Sequence, residues 1–144
     1  MKQEAYNALL SGLKAYNNSL DENHGNIIHS ISPQFGKDRK ISFPLTIFKE
    51  IRNTPVPSIN SHRERVASVG YRLDIFAQDK GANYSKFKIA RDIAEFVDKF
   101  MSDCAGLLRV SYNENDLENN GAIEHITLVY SGYFDETRLK FLRR

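Results

Sequence analysis

The sequence predicts an α+β domain: a mixed or antiparallel sheet of about four strands, one long helix on a face of the sheet, and a helix at the N-terminus. Four segments carry apolar residues at every second position, as half-buried strands do. One segment between the second and third of them repeats apolar residues at helical spacing. The length of 144 residues is a common size for one domain, so residues 1–144 are expected to share one core.

The N-terminal segment, residues 2–16, has the spacing of an amphipathic helix, with Ala5, Leu9, Leu13 and Tyr16 on one side. A polar run from Asn17 ends this helix. Residues 20–40 have no regular pattern and are expected to form an extended connection rather than a second domain. Two alternatives stay open within it: a short strand inside residues 26–32, or order gained only against a partner.

Two strands are predicted after this connection. Residues 43–53 alternate apolar and polar side chains, and Pro44 stands near the start, where a strand tolerates proline. Residues 67–77 place small and apolar side chains on one face, whereas Arg72 and Asp74 fall on the other face. Gly70 predicts a bulge or a close backbone approach in mid-strand.

The long helix is predicted over residues 86–102, with Asn83 or Ser85 as its N-cap. Its apolar stripe consists of Phe87, Ala90, Ile93, Ala94, Val97, Phe100 and Met101. On the solvent side two pairs of opposite charge stand four residues apart, Lys88 with Asp92 and Glu95 with Lys99.

The last two strands are predicted around residues 108–112 and 126–134, where apolar side chains again alternate. Residues 113–121 between them are polar and end in Asn-Asn-Gly, which predicts a loop. Residues 138–144 form a basic tail, expected to be a solvated strand edge.

Composition excludes several classes of function. The formal net charge of +2 is too small and too dispersed for a phosphate-binding surface, so no specific nucleic-acid partner is expected. No stretch is apolar enough to span a membrane, and none has the pattern of a secretory signal. Cys104 is alone, so no disulfide can form within the chain.

No catalytic residue, cofactor site or metal site is predicted. The string GYRLDIFA, residues 70–77, looks like the strand of a restriction-type nuclease in which Asp74 would bind Mg²⁺. Such a site needs a Glu-x-Lys strand soon afterwards, and a loop and a helix follow instead. Asp74 is therefore predicted to be a solvent-facing strand residue. The four histidines, His24, His29, His62 and His125, show no ligand spacing.

Local strings resemble a family of bacteriophage proteins. FPLTIFKEIRN, residues 43–53, and YRLDIFAQ, residues 71–78, resemble the first two strands of tail terminator proteins, also called tail completion or tail-to-head joining proteins. After the helix, LLRVSYNE, residues 107–114, and IEHITLVYSGYFD, residues 123–135, also resemble that family. The resemblance covers residues 43–135, and residues 20–40 depart from the family pattern.

This resemblance implies a structural tail protein without catalytic residues. Its copies would form a ring, a hexamer in the family, that caps the tail tube and joins it to the head-tail connector protein. The expected partners are therefore the chain itself, the tail tube protein and the connector, and the expected location is the virion tail, assembled in the host cytoplasm. Alternatives are a head-closure or tube protein, a soluble ligand-binding domain, and a small metal-dependent nuclease using Asp74.

Two charged loops are predicted as candidate interfaces. The first, residues 60–65, is basic through Arg63 and Arg65, and the second, residues 113–120, is acidic through Glu114, Asp116 and Glu118. Opposite charge suits a contact between neighbouring subunits, or docking on a tube rim of complementary sign. That both loops are merely solvated is an equal alternative.

Overall fold

The computed structural model describes residues 4–19, 26–29, 44–56, 65–79, 85–118 and 123–142. Helix α1 spans Glu4–Ser19, and helix α2 spans Lys86–Asp98 and continues as π-helical turns over Lys99–Cys104. The strands are β1 (Asn26–His29), β2 (Leu45–Pro55), β3 (Val66–Ala77), β4 (Leu108–Glu118), β5 (Ile123–Asp135) and β6 (Lys140–Leu142). The predicted α+β fold is confirmed.

The strands form one mixed sheet in the order β1-β2-β3-β5-β4, with β6 paired to β5 beyond the start of β4. Strand β1 runs parallel to β2, and the other pairs are antiparallel. The four long strands are the predicted ones. The two short strands lie in the connection, where a strand was one of the alternatives, and in the basic tail.

Both helices pack on one face of the sheet, which is called the helix face below. The predicted face of β3 lies there, with Tyr71, Leu73 and Ile75 opposite Tyr130, Leu128 and Ile126 of β5. Helix α1 adds Leu9 and Leu13, and α2 adds Ile93, Val97 and Met101. Burial of these side chains removes most of the apolar stripe of each helix from water, which is the main force that holds the layers together. Phe87, the first residue of the predicted stripe of α2, stays 39% exposed.

The boundaries of α2 follow its sequence signals. Ser85 is the N-cap, because its Oγ accepts a hydrogen bond from the Lys88 N–H at 3.2 Å. The other candidate cap, Asn83, lies outside the described residues. The two predicted ion pairs are present, Lys88 with Asp92 at 4.0 Å and Lys99 with Glu95 at 3.9 Å.

The prediction of a polar loop over residues 113–121 is wrong for residues 113–118. Strand β4 continues to Glu118, which pairs with Ile123 of β5. The register shifts between Arg109 and Ser111 and again between Asn115 and Glu118. Backbone pairing with β5 decides the structure here, because polar side chains on an edge strand stay in contact with water.

Candidate functional site

A cluster of polar side chains lies on the sheet face opposite the helices, called the second face below. It is built by two central strands, because Asp74 of β3 stands directly opposite Thr127 of β5. His125 stands two residues before Thr127 and stacks on Phe76, with ring centroids 4.3 Å apart. The residues come from distant parts of the chain, and only the pairing of β3 with β5 brings them together.

Asp74 is the centre of this cluster. Its Oδ1 lies 2.7 Å from His125 Nε2 and accepts a hydrogen bond from Thr127 Oγ1 at 3.0 Å. Its Oδ2 accepts from Arg72 Nε at 3.0 Å. Because an ionised carboxylate only accepts hydrogen bonds, His125 must carry a proton on Nε2.

These partners hold Asp74 in its charged form. Burial alone raises the pKa of the Asp74 carboxyl, but the hydrogen bonds from His125, Arg72 and Thr127 outweigh burial and lower the pKa to about 2. The prediction that Asp74 faces solvent is wrong, since only 7% of the residue is exposed. Pairing across the sheet, which sequence alternation does not show, is the reason.

The chemistry of this cluster does not favour the nuclease alternative. The oxygens of Asp74 are directed at a guanidinium, an imidazole N–H and a hydroxyl, so Arg72 neutralises the carboxylate and the other two groups satisfy it by hydrogen bonds. A divalent cation needs several oxygen ligands and would be repelled by Arg72. Among the residues that the structure describes, no group of three or more His, Cys, Asp or Glu side chains is placed to hold a metal ion.

Of the candidate interface residues, Glu114 lies on the helix face of β4. Its Oε1 accepts a hydrogen bond from Arg91 Nε of α2 at 3.0 Å. Asp98 of α2 contacts two strands: its Oδ1 accepts a hydrogen bond from the Tyr130 hydroxyl of β5 at 2.8 Å and lies 3.6 Å from Arg109 Nη1 of β4. Burial, followed by the hydrogen bond to Asp98 and the charge of Asp98, raises the pKa of Tyr130 above its ordinary value.

Arg65 is exposed and stands immediately before β3. Its backbone N–H donates to Thr137 Oγ1 at 3.2 Å, and its carbonyl accepts from the Glu136 N–H at 2.7 Å. The turn it contacts is held by Asp135, whose Oδ1 accepts from two backbone N–H groups and whose Oδ2 pairs with Arg138. The backbone of Arg65 is therefore fixed, whereas its side chain faces solvent.

The structure does not bring Arg65 of the first candidate loop near the described part of the second. Arg65 lies at the end of the sheet where β3 starts and β5 ends, and Glu118 lies at the opposite end, beside Ile123. Arg63 lies outside the described residues. Asp116 and Glu118 are described as strand backbone only, at the far end of β4.

Two exposed strand edges were not predicted from the sequence. On β4, Leu108, Val110 and Tyr112 are 48%, 59% and 40% exposed. On β2, Ile51 is 50% exposed at the register shift between Glu50 and Arg52. Alternation predicted strands at both places, but it cannot show which strands end at the edge of the sheet.

Comparison with known proteins does not assign the chain to a family. No family model matches the chain, and no curated protein matches it. Within the described segments, neither helix combines the length and the apolar character required to cross a bilayer.

Proposed function

We propose that this chain is a structural subunit of a phage or prophage tail. Copies of it form a ring, a hexamer by the resemblance, that caps the tail tube and joins it to the head-tail connector. The observation that carries the proposal is the assembly of the four resembling strings. They become β2, β3, β4 and β5 of one sheet, with the intervening helix α2 packed across it.

The pairing of carboxylates within the subunit supports a structural role rather than an active site. Asp74 pairs with Arg72 and accepts a hydrogen bond from His125, and Asp135 pairs with Arg138. Hydrogen bonds from Arg138 and from the turn backbone lower the pKa of Asp135. Carboxylates held in this way stabilise the sheet, and they are poor general bases because they are already satisfied.

The test is removal of the gene from the phage or prophage that encodes the chain. Without the terminator, tail tubes should grow past their normal length and filled heads should stay unjoined, as seen by electron microscopy of the lysate. Supply of the chain in trans should restore complete particles. Normal particles in the deletion strain would exclude a role in capping or joining.

A double variant, Arg63→Glu with Arg65→Glu, tests the first candidate loop within this function. Because the Arg65 side chain is exposed, the fold should survive while tail joining is lost. Lys14→Glu is the matched control, since it makes the same type of charge change at an exposed position of helix α1. If the double variant yields infectious particles like the control, the first loop is not part of the interface.

The gene deletion also separates the alternatives within the virion. Loss of a head-closure protein would leave tube length normal and block only the joining of heads to tails, whereas loss of a tube protein would abolish the tubes. The gene neighbourhood gives a second discrimination, because adjacent tail tube and tape-measure genes favour the terminator.

A further inference from the structure

Strand β4 forms one edge of the sheet, and its outer side has no strand partner in the part of the chain that the structure describes. Three large apolar side chains, at Leu108, Val110 and Tyr112, are exposed there. Residues 111–115 pair with β5 in a continuous register. The backbone N–H and C=O groups on the outer side of this stretch therefore have the geometry of a β-strand. A long edge with exposed apolar side chains is a natural place for another chain to dock.

The opposite edge of the sheet, where β1 and β2 lie, has a different surface. Strand β1 covers β2 only from Leu45 to Phe48, so the edge of residues 49–52 has no strand neighbour on that side among the described residues. Ile51 is exposed in this stretch. Residues 49–52 are called the open segment of β2 below.

The charges of the two edges are opposite. The open segment of β2 carries Lys49, Glu50 and Arg52, so its formal charge is +1. Neither cation forms an ion pair with a described carboxylate, although Arg52 donates to Ser68 Oγ at 3.2 Å. By contrast, Arg109 of β4 pairs with Asp98, and Arg91 of the neighbouring helix α2 pairs with Glu114 of β4. The far end of β4 carries two further acids in its sequence, Asp116 and Glu118.

We infer that the open segment of β2 in one copy docks against strand β4 of the next copy. Ile51 meets the exposed apolar residues of β4, and Lys49 and Arg52 reach toward its acidic end. The inference rests on the proposed ring, because a head-to-tail ring requires two different, complementary surfaces on every subunit. The open segment of β2 and the edge of β4 provide such surfaces, and neither edge complements its own charge.

The test is crosslinking of single-cysteine variants made in the full chain with Cys104→Ser, which removes the exposed native thiol. Ile51→Cys and Val110→Cys place thiols on the two edges, at residues that are exposed in the subunit. With a short bis-maleimide, a mixture of the two variants should give a crosslinked dimer, and each variant alone should stay uncrosslinked. The double-cysteine chain should give a ladder of products that ends at the ring size.

Charge reversal supplies the second arm of the test. Lys49→Glu with Arg52→Glu should reduce the crosslinked fraction by about tenfold or more, and so should Asp116→Lys with Glu118→Lys. A chain that carries all four substitutions restores complementarity and should crosslink like the parent. Lys14→Glu is the control, and circular dichroism shows that each variant is folded.

Three results would overturn the inference: a dimer from Val110→Cys alone, no crosslink in the mixture, or failure of the fourfold reversal to restore the ladder. The crosslinking test and the test of the proposed function can fail independently. Capped tail tubes without this crosslink would mean that the ring uses other contacts. A crosslinked ladder from a chain that does not cap tubes would leave the contact valid and reject the terminator role.

Discussion

Replacement of Asp74 with asparagine removes the charge at the centre of the cluster on the second face while keeping the shape of the side chain. Three donors converge on this carboxylate, from Arg72, His125 and Thr127. In the variant the amide can accept fewer of these hydrogen bonds, and Arg72 loses its ionic partner. We expect the variant to fold and to be less stable than the parent at neutral pH.

The magnitude follows from the pKa of Asp74, which is lowered from 3.8 to about 2 in the folded protein. Each pKa unit corresponds to about 1.4 kcal/mol, so the charged form contributes about 2 kcal/mol to the free energy of unfolding. Because the folded pKa is lowered, this contribution is complete above the unfolded pKa and is lost as pH falls toward the folded pKa. The window therefore runs from about pH 4 down to about pH 2.

Urea denaturation of the parent and of Asp74→Asn, repeated between neutral pH and about pH 2, measures this contribution directly. The difference in free energy of unfolding should be about 2 kcal/mol at neutral pH and should close across the acidic window. The control is Asp92→Asn on the exposed side of α2, which should cost less than about 0.5 kcal/mol. A difference for Asp74→Asn that stays constant down to pH 2, or one no larger than the control, would refute the reasoning.

Three further substitutions test other parts of the fold by the same denaturation measurement. Tyr130→Phe removes the hydrogen bond to Asp98 and should cost about 1 kcal/mol, and an unchanged stability would mean that this bond contributes nothing. Leu139→Gly should stabilise the protein by roughly 0.5–1 kcal/mol, because Leu139 is exposed and has a φ of 55°; a loss of stability would contradict this. Gly132→Ala should cost about 1–3 kcal/mol, since the added Cβ would meet the side chain of buried Leu107, and a neutral result would show that Leu107 moves freely.

Periodicity was sufficient to predict the layers of this fold. The apolar face of β3 and the apolar stripe of α2 meet in one core, as their spacing of two and of three to four residues requires. The ion pairs on the exposed side of α2 were predictable because their partners are four residues apart on one helix. In each of these cases the partners are near in sequence or belong to a repeating pattern.

The cluster around Asp74 could not be predicted in the same way. Asp74 and His125 are separated by 51 positions, and only the register of β3 against β5 makes them neighbours. The extension of β4 was missed for a related reason. Its residues after Tyr112 are polar and resemble a loop, and the strand that pairs with them begins only at Ile123.

Growth of tail tubes in the presence of this chain tests the central claim most directly. Purified tail tube protein from the same phage or prophage is allowed to polymerise with and without the chain, and tube lengths are measured by electron microscopy. The account predicts that growth stops when the chain is added and that a ring of its copies is visible at one end of each tube. Tubes of unchanged length with bare ends would contradict it.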